Sequence, residues 1–453
     1  MKTLRSLFLA IILFPVISSG QIQSVLPVST AKNGSLTAVV YDWEVIGVNP
    51  SNLGWDVNHR LSFTILDAGI SGQSKGMNMP TVATALGSAS LISGALSWQK
   101  ILGSPRGMNA YGDVNWFAVS FKIPVIPGAF AVNLRDRIIG NAFLGFNASE
   151  ALIHSTDGEY TDARIMSFLN GTTLNYLHYR EINLDYGVKL FSSSGGFGSA
   201  GPDLSKCFSF NKNNTNLGDE EASTYAGIGL KYIFGIADLN GGISGGGINA
   251  IYDMTPDYPN VPKGFFNTPG HGYAFDLGLS EKYRRWTFGW SVTDFGSIRW
   301  KHASSTVHDT NVAPIKYGSD FLNELKTGTL AGSTPASDFT TYLPAKMRVA
   351  ASYILTKNWL LSADAIFPLN RVVGGLQGPY YAVGAQWKAP KIITLSTGFA
   401  TTAYFGWGIP LGVTFSATKR IEFYAGTNDI TAFLGKPSNA NVSMGIWMFR
   451  YNL

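Results

Sequence analysis

The chain has 453 residues, of which 45% are hydrophobic, 13% aromatic and only 14% charged, and it contains 51 glycines. An average protein has about 25% charged residues and about 7% glycine. So little charge excludes a disordered chain and does not suit the surface of an ordinary soluble enzyme. The net charge of +5 is too small to indicate nucleic-acid binding, so no nucleic-acid partner is expected.

The chain is apolar, yet after its N-terminus no run approaches the roughly 18 to 20 apolar residues of a membrane-spanning helix. An apolar, aromatic and glycine-rich chain without such helices is typical of an outer-membrane barrel. The sequence therefore predicts an all-β fold, a transmembrane antiparallel β-barrel of about 14 strands (range about 12 to 16), with an N-terminal plug and a few short helices.

The first twenty residues have the order of a secretory signal. Lys2 and Arg5 precede an apolar stretch at 7–17, and small residues follow at 18–20. This pattern predicts a signal peptide at 1–20 that is removed on export, and a final location in the cell outer membrane. The single cysteine, Cys207, excludes an internal disulfide and a cysteine-based zinc site.

Residues 21–58 precede the regular strand pattern. They contain the stretch Asn49-Pro50-Ser51-Asn52-Leu53-Gly54, which by itself is a turn signal. The barrel is expected to occupy 59–453. Its N-terminal half alternates less regularly, and it predicts strands at 59–67, 114–124, 129–136, 172–180, 182–191 and 224–234.

Several stretches do not alternate. Residues 81–102, 161–170 and 319–326 are expected to contain short helices. The long segments 192–222 and 254–270 are expected to be loops that both face the outside, where such barrels carry their longer connections.

The C-terminal half alternates clearly. In 270–280, Tyr273, Phe275, Leu277 and Leu279 share one face, while small residues and Asp276 share the other. Small residues fit the curved inner wall of a barrel, so this second face is predicted to line the lumen. The same reasoning predicts these lumenal charges: Asp276, Arg348, Asp364 and Lys388.

One hairpin allows a sharper expectation. Strands at 346–355 and 359–367, joined by a turn at 356–358, would place Arg348 directly opposite Asp364 in the lumen. The alternative is a register slipped by two residues, in which each charge meets lumenal water or another strand.

The sequence contains tempting but weak chemical motifs. Residues 242–246 match Gly-x-Ser-x-Gly, but no helical pattern follows as a nucleophile turn requires. His302, His308 and Asp309 share one loop, where solvated side chains are the default interpretation. The triplet 135–137, Arg-Asp-Arg, is expected to be a salt-bridged strand end. We predict no catalytic residue, metal site or cofactor.

The chain's last residues, 441–453, also alternate. Trp447, Phe449, Tyr451 and Leu453 resemble the terminal strand that the barrel assembly machinery recognises. The stretch at 49–54 is similar to an Asn-Pro-Ala-x-Leu element near the mature N-terminus of the long-chain fatty-acid transporter family. The same element occurs in barrel components of the type IX secretion system. The chain resembles an uncharacterised outer-membrane barrel family related to both.

This resemblance implies a 14-stranded barrel whose N-terminal segment folds into the lumen as a plug, which would include Asn49, Pro50, Leu53 and Gly54. A plain periplasmic turn is the alternative for these residues. The function that the resemblance implies is a non-enzymatic barrel that binds or passes a hydrophobic small molecule. Its partners would be outer-membrane lipid, that molecule and, during biogenesis, the barrel assembly machinery.

A second hypothesis is a scaffold or shuttle barrel in a secretion or cell-surface machine. A transporter needs an apolar internal groove with an opening in the wall, whereas a scaffold can be fully plugged. A water-filled porin ranks third. The small-residue lumen faces lack the dense charge ladders that line such pores.

Overall fold

Strands dominate the described part of the chain. A computed structural model describes residues 34–74, 81, 84, 91–103, 107–150, 164, 167–194, 221–245, 247–255, 266–301, 304–309, 333–376, 378–389, 392–402, 406–418, 421–431 and 441–451. Within these residues, nineteen strands form one antiparallel sheet, so the all-β prediction is confirmed.

The strands follow one another with few helices between them. The helical elements are two 3₁₀ helices, Asp42–Val45 and Pro50–Gly54, and one α-helix, α1 (Leu91–Leu102). The strands are β1 (Leu61–Gln73), β2 (Met108–Phe121), β3 (Ala129–Phe143), β4 (Thr173–Ser194), β5 (Glu221–Ser244), β6 (Gly247–Met254), β7 (Gly270–Tyr283), β8 (Trp286–Trp300), β9 (Ser304–Asp309), β10 (Ser333–Pro335), β11 (Phe339–Tyr342), β12 (Lys346–Thr356), β13 (Trp359–Pro368), β14 (Tyr380–Lys388), β15 (Ile393–Thr402), β16 (Gly406–Gly408), β17 (Leu411–Ser416), β18 (Ile421–Thr427) and β19 (Asn441–Tyr451).

Fourteen of these strands pair in a continuous ring, since β1 pairs with both β2 and β19. Going round from β1, the order is β2, β3, β4, β5, β7, β8, β12, β13, β14, β15, β17, β18 and β19. The five short strands β6, β9, β10, β11 and β16 extend the sheet beside it. Every strand of the ring therefore has a partner on each side.

The two ends of the ring differ. β1 begins and β19 ends at the same end, since Leu61 pairs with Tyr451, and we call this the terminal end. Several connections there are short, such as 284–285 and 357–358. The opposite end, which we call the loop end, receives the long connections 74–107, 144–172 and 301–345.

The prediction that both long segments in the middle of the chain face the same side is wrong. Ser194 pairs with Glu221, so the strand ends that flank 195–220 lie at the terminal end. The strand ends that flank 255–269 lie at the loop end. The reason is that β5 runs the whole way from the terminal end to the loop end. β6 runs back beside β5 only as far as Ala237, so it does not return the chain to the terminal end.

Side chains alternate between an exposed apolar face and a buried polar face. In β7, Tyr273, Phe275, Leu277 and Leu279 are 65%, 48%, 47% and 45% exposed. The intervening residues, including Asp276 at 0%, are buried. A soluble antiparallel sheet turns its apolar face to the core. Here the apolar face is the outer face, and the inner face carries small and polar side chains.

Some element bounds differ from those predicted. The strands expected at 172–180 and 182–191 are one strand, β4, because Glu181 between them pairs with Arg135 on β3 and Ile233 on β5. α1 lies within the helical stretch expected at 81–102, and residues 164, 167 and 168 are also helical. The helix expected at 319–326 and the signal peptide expected at 1–20 lie outside the described residues. Among the residues described, no helix combines the length and apolarity needed to cross a membrane.

The hairpin prediction is wrong in register. Arg348 lies opposite Ile366, and Asp364 lies opposite Ala350, a slip of two residues. The turn is tighter than expected, since Thr356 pairs with Trp359 across Lys357 and Asn358 alone. A bulge between Ile354 and Thr356 then shifts the remaining pairs. Both charges still lie on the buried inner face, at 0% and 4% exposure.

The pairing of β1 with β19 is testable by cross-linking. Ile70 lies opposite Val442, and directly opposed strand residues have Cα atoms close enough for a disulfide. In a Cys207→Ser background, Ile70→Cys with Val442→Cys should oxidise to an intramolecular cross-link that changes migration of the denatured protein on a gel.

The control pair is Ile70→Cys with Met448→Cys, six residues further along β19 and roughly 20 Å away. It should stay uncross-linked. Equal cross-linking of both pairs, or none in the first, would show that the ring is not joined in this register.

Candidate functional site

The inner face changes character along the ring, and β4 shows the sequence of layers. From the terminal end, its inward side chains are first Gly187, then the polar set Asp185, Asn183 and Glu181. Two apolar residues follow, Tyr179 and Leu177, and then Asn175 and Thr173 at the loop end. The interior therefore has a glycine layer, a charged layer, an apolar layer and an amide layer.

The glycine layer seats the N-terminal segment. Gly187, Gly227 and Gly278 are direct cross-strand partners on β4, β5 and β7. A Cβ at Gly227 would lie 2.3 Å from the carbonyl carbon of Pro50, and one at Gly278 would lie 2.0 Å from Oδ1 of Asn49. Only residues without a side chain let the two backbones approach this closely.

Hydrogen bonds fold residues 34–58, which we call the inner segment, into a compact unit. The Asn49 side chain accepts from the amide N of Ser51 at 3.3 Å and donates to the carbonyl of Thr37 at 3.3 Å. Asn52 donates to the carbonyls of Thr37 and Val40 at 3.1 and 2.9 Å. The apolar residues of the inner segment, including Trp43 and Leu53, are buried against Ala129 and Ala131 of β3.

Polar side chains of the strands hold the inner segment to the wall. Asp364 accepts from the amide N atoms of Leu36 and Thr37 at 3.0 and 3.2 Å, and from Thr37 Oγ1 at 3.0 Å. Ser291 and Ser352 donate to the carbonyls of Val48 and Ala38 at 2.6 and 2.9 Å. These bonds satisfy backbone groups that burial would otherwise leave unpaired.

A second set of contacts fixes the point where the inner segment meets β1. His59 Nδ1 lies 2.7 Å from Asp42 Oδ2, and the His59 amide N donates to Asp42 Oδ1 at 2.8 Å. Lys122, in the connection after β2, donates to the carbonyl of Asn58. Burial lowers the pKa of the Lys122 ammonium, and the carboxylates of Asp42 and Asp56 oppose that shift.

Buried ion pairs form the charged layer above the segment. Asp294 is its centre, with Lys231 Nζ at 2.6 Å, Arg137 at 3.2 Å and Lys346 Nζ at 3.6 Å. Lys231 also lies 2.9 Å from Asp276. On the other side, Arg135 donates to Asp113 at 2.6 Å through Nε and to Glu181 at 3.4 Å.

The charged layer and the inner segment support each other. Gly47 adopts φ +69°, and a Cβ there would lie 3.2 Å from an Arg135 guanidinium nitrogen. Buried charges are costly unless they are paired, and removing one partner costs about 3–5 kcal/mol. The pairing across β2, β3, β4, β5, β7, β8 and β12 therefore ties the interior to half of the ring.

An apolar layer covers the charges on the loop-end side. It contains Ile139, Leu177, Ile233, Ile298, Trp300 and Leu343, which are 0–3% exposed. Tyr111, Phe339 and Val373 pack against it. The interior of the ring is thus occupied by side chains and by the inner segment at three successive levels.

A cavity of about 660 Å³ opens above the apolar layer, at the loop end. Phe339 and Val373 form part of its floor, since they line the cavity and also pack on the apolar layer. Its wall is polar, with Arg371 from the connection after β13. The wall also contains Asn109, Asn141, Asn175, Asn240, Thr173, Thr341 and Tyr342.

The predicted site residues lie in different parts of this arrangement. Asn49, Pro50, Leu53 and Gly54 are in or next to the second 3₁₀ helix, with Asn49, Pro50 and Leu53 buried against the glycine layer. Asp276 and Arg348 belong to the buried inner face, and Asp364 binds the inner segment. Lys388 ends β14 at the terminal end and is exposed. Trp447, Phe449 and Tyr451 alternate in β19, and Leu453 lies outside the described residues.

Residues 135–137 are salt-bridged, but they are not a strand end. They lie in the middle of β3, because the strand continues to Phe143. Arg135 and Arg137 point inward. Asp136 points to the other face, where Arg180 donates to it at 2.6 and 2.7 Å and Trp116 Nε1 at 2.9 Å.

The tempting chemical motifs do not form a catalytic arrangement in the described residues. Ser244 ends β5 and pairs with Gly247 of β6, so a hairpin, not a helix, follows it. His302 and Cys207 lie outside the described residues. No group of His, Cys, Asp and Glu side chains within the described ranges could hold a metal ion.

Sequence reasoning missed several interior residues. Lys231, Glu181 and Asp294 were not identified as lumenal charges. Strict alternation places Asp294 on the outer face after Thr293, but φ +60° and a bulge opposite Asp276 turn it inward. The glycine layer could have been inferred in part from the sequence, since each of its glycines falls on the small-residue face of its strand.

The comparisons with known proteins identify one family. The chain matches the model described as "Family of unknown function (DUF5723)" over residues 102–428. No curated protein matches the chain in sequence.

Similar solved structures include two toluene transporters and a FadL homologue. TodX from Pseudomonas putida is 10% identical, with 97% of this chain and 99% of that one covered at a TM-score of 0.44. TbuX from Ralstonia pickettii is 13% identical, with coverages of 95% and 99% and a TM-score of 0.44. A FadL homologue from Pseudomonas aeruginosa is 12% identical, with coverages of 94% and 96% and a TM-score of 0.45.

The glycine layer predicts the effect of Gly227→Val. The new side chain would occupy the space of the Pro50 carbonyl and displace the inner segment, at a cost of about 1–3 kcal/mol. Ser51 is 0% exposed. In a Cys207→Ser background, Ser51→Cys should react slowly with a water-soluble maleimide, and much faster when Gly227→Val is added.

The matched control is Gly112→Val, where the nearest atom to a new Cβ is Ile138 Cβ at 3.5 Å. It should leave the labelling rate at Ser51→Cys unchanged. If Gly227→Val also left that rate unchanged, the glycine layer would not hold the inner segment.

Proposed function

Because the chain belongs to this family of unknown function, we propose a function from its own residues: a non-enzymatic outer-membrane β-barrel that binds a small molecule with a hydrophobic part. In this proposal the fourteen-stranded ring is a closed transmembrane barrel, and the inner segment is its plug. The molecule binds in the cavity at the loop end.

The outer face of the ring supports the membrane location. Large apolar side chains are exposed around it, such as Leu230 on β5, Phe288 on β8, Val349 on β12 and Val383 on β14. Soluble monomers rarely expose a continuous apolar surface of this extent. Exposure of these apolar side chains is favourable in lipid. The alternation along each strand then directs the polar side chains to the interior.

The cavity is the observation that carries the binding function. Its volume of about 660 Å³ lies within the range of small-molecule sites, and it combines an apolar floor with a polar wall. Phe339 and Val373 on the floor suit a hydrophobic part of the ligand, whereas the amide wall suits a polar part. The proposed ligand is therefore amphipathic.

The filled interior favours binding over free passage, and it is also what a scaffold or shuttle barrel would have. Below the cavity, the apolar layer, the charged layer and the inner segment occupy the interior. Passage would require the ligand to leave sideways through the wall or the inner segment to move. A scaffold in a secretion or surface machine is the second candidate, since it needs no ligand.

The further parts of the proposal follow from the sequence. An N-terminal signal would export the chain, and the barrel assembly machinery would recognise the terminal strand with Trp447, Phe449, Tyr451 and Leu453. Outer-membrane lipid would surround the ring. The relation to the fatty-acid transporter family and to the type IX secretion barrels stays a prediction of the 49–54 element.

The binding function predicts a difference between two variants. Val373→Arg places a charge on the cavity floor, where it should reject the hydrophobic part of a ligand. Organic extracts of protein purified from outer membranes, compared by mass spectrometry, should contain a species in the wild type that is lost in Val373→Arg.

The matched control is Leu369→Arg, an exposed position in the same connection that does not line the cavity. Lipid bound to the outer face should be equal in all three extracts. Identical extracts from wild type and Val373→Arg would contradict the binding function and favour the scaffold.

A further inference from the structure

Four asparagines form a row across the cavity wall. Asn109 on β2 pairs with Asn141 on β3, Asn141 with Asn175 on β4, and Asn175 with Asn240 on β5. Each is the direct cross-strand partner of the next, and all four line the cavity. Because neighbouring strands lie about 4.8 Å apart, the wall presents an amide at regular intervals of about this size. We call these four residues the asparagine row.

Hydrogen bonds orient members of the row. Asn141 Nδ2 donates to Asn109 Oδ1 at 2.9 Å, and Asn240 Nδ2 donates to Asp238 Oδ1 at 2.6 Å. Asp238 in turn accepts from the Thr341 hydroxyl, whose residue also lines the cavity. Asn141 Nδ2 also donates to the carbonyl of Met108 at 3.5 Å. A carboxamide has two donor hydrogens and one acceptor oxygen with two lone pairs, so Asn175 and Asn240 keep capacity to bind a ligand beside the bond from Asn240 to Asp238.

A purely hydrocarbon ligand would not match this wall. Binding it against the row would remove water from polar amides without replacing their hydrogen bonds, which costs about 1–3 kcal/mol for each unsatisfied group. A ligand with several neighbouring hydroxyls would match, because each hydroxyl both donates and accepts, as each amide does.

Two other features of the cavity restrict the chemical class of the ligand further. The rings of Phe339 and Tyr342 line the same cavity and offer apolar faces to the C–H faces of a sugar ring. Arg371 is the only charged residue on the described lining, and it is exposed at the connection after β13. A guanidinium binds a carboxylate or a phosphate through paired hydrogen bonds.

We propose that the cavity recognises a sugar-like group with one anionic substituent, with the hydroxyls on the asparagine row and the anion on Arg371. This inference rests on the proposed function, because it names the polar part of the amphipathic ligand. The group could come from a glycolipid headgroup or a free acidic sugar, which share this chemistry.

The experiment titrates four soluble probes into the purified full chain in a polyoxyethylene detergent, which lacks sugars. The probes are glucuronate, glucose 6-phosphate, glucose and decanoate, and calorimetry measures binding. We expect both anionic sugars to bind at least about tenfold more tightly than glucose, as one charge-assisted pair provides. The ranking of carboxylate against phosphate identifies the anion.

Variants assign the effect to the named residues. Arg371→Gln should remove the preference for glucuronate over glucose, and Arg371→Lys should restore part of it. Asn175→Leu should weaken the binding of glucuronate and of glucose by about tenfold. The control Asn249→Leu, on β6 and outside the cavity lining, should bind as the wild type does.

To separate the two sources, the same titration uses vesicles with and without an acidic glycolipid. Tighter binding to the lipid-linked sugar indicates a headgroup, and equal binding indicates a free sugar. Binding of decanoate alone would overturn the sugar inference but leave the proposed function standing. Absence of binding by every sugar would also overturn it, whereas the proposed function is judged separately by the organic extracts.

Discussion

The close approach of two backbones at the glycine layer is the constraint on which the interior depends. Gly187, Gly227 and Gly278 remove three adjacent side chains from the inner wall, and the turn that begins at Asn49 fills the space they leave. A side chain at any of these three positions would collide with the inner segment where it now lies. The absence of side chains at these three glycines therefore determines where the inner segment lies against the wall.

Once the segment is seated, its backbone polar groups must be satisfied, and the wall supplies the partners. Asp364, Ser291 and Ser352 bond to its amides and carbonyls. The charges above it pair with one another across neighbouring strands, since isolated buried ions would be far too costly. The apolar layer then separates these charges from the cavity. Each layer is stabilised by its neighbours, so the filled interior behaves as one unit.

This arrangement links structure to function by dividing the ring into a closed part and an open part. The closed part occupies the interior from the terminal end upward, and the open part is the cavity under the loop-end connections. In the proposed function, a small set of side chains on β2 to β5, together with Arg371, decides the chemistry of the ligand. In the proposed function, the outer face faces lipid and takes no part in ligand binding.

Composition and alternation were enough to predict the all-β class and the direction of each face. Period-two patterning is strong in β7, β12 and β13, where every second residue is apolar. Patterning could not predict positions where the period breaks. The two-residue turn at Lys357 and Asn358, together with the bulge next to Thr356, sets Ile366 opposite Arg348 in place of Asp364. The left-handed backbone at Asp294 brought an outer-face residue to the centre of the ion pairs.

The interior site was largely beyond sequence reasoning for a second reason. The glycine layer and the asparagine row exist only through cross-strand register, which joins residues as distant as Asn109 and Asn240. Single-strand patterns show that each residue faces inward, but not which residues share a height. The turn at 49–54 was found through resemblance, and its partners were not.

The conductance of the full-length chain in a planar lipid bilayer tests the filled interior most directly. A ring of this size with an open interior would pass ions steadily, as water-filled barrels do. The layers described above predict insertion without steady conductance at moderate voltage. A stable, ohmic open channel in the unmodified protein would contradict the central claim that the inner segment and the buried side chains close the barrel.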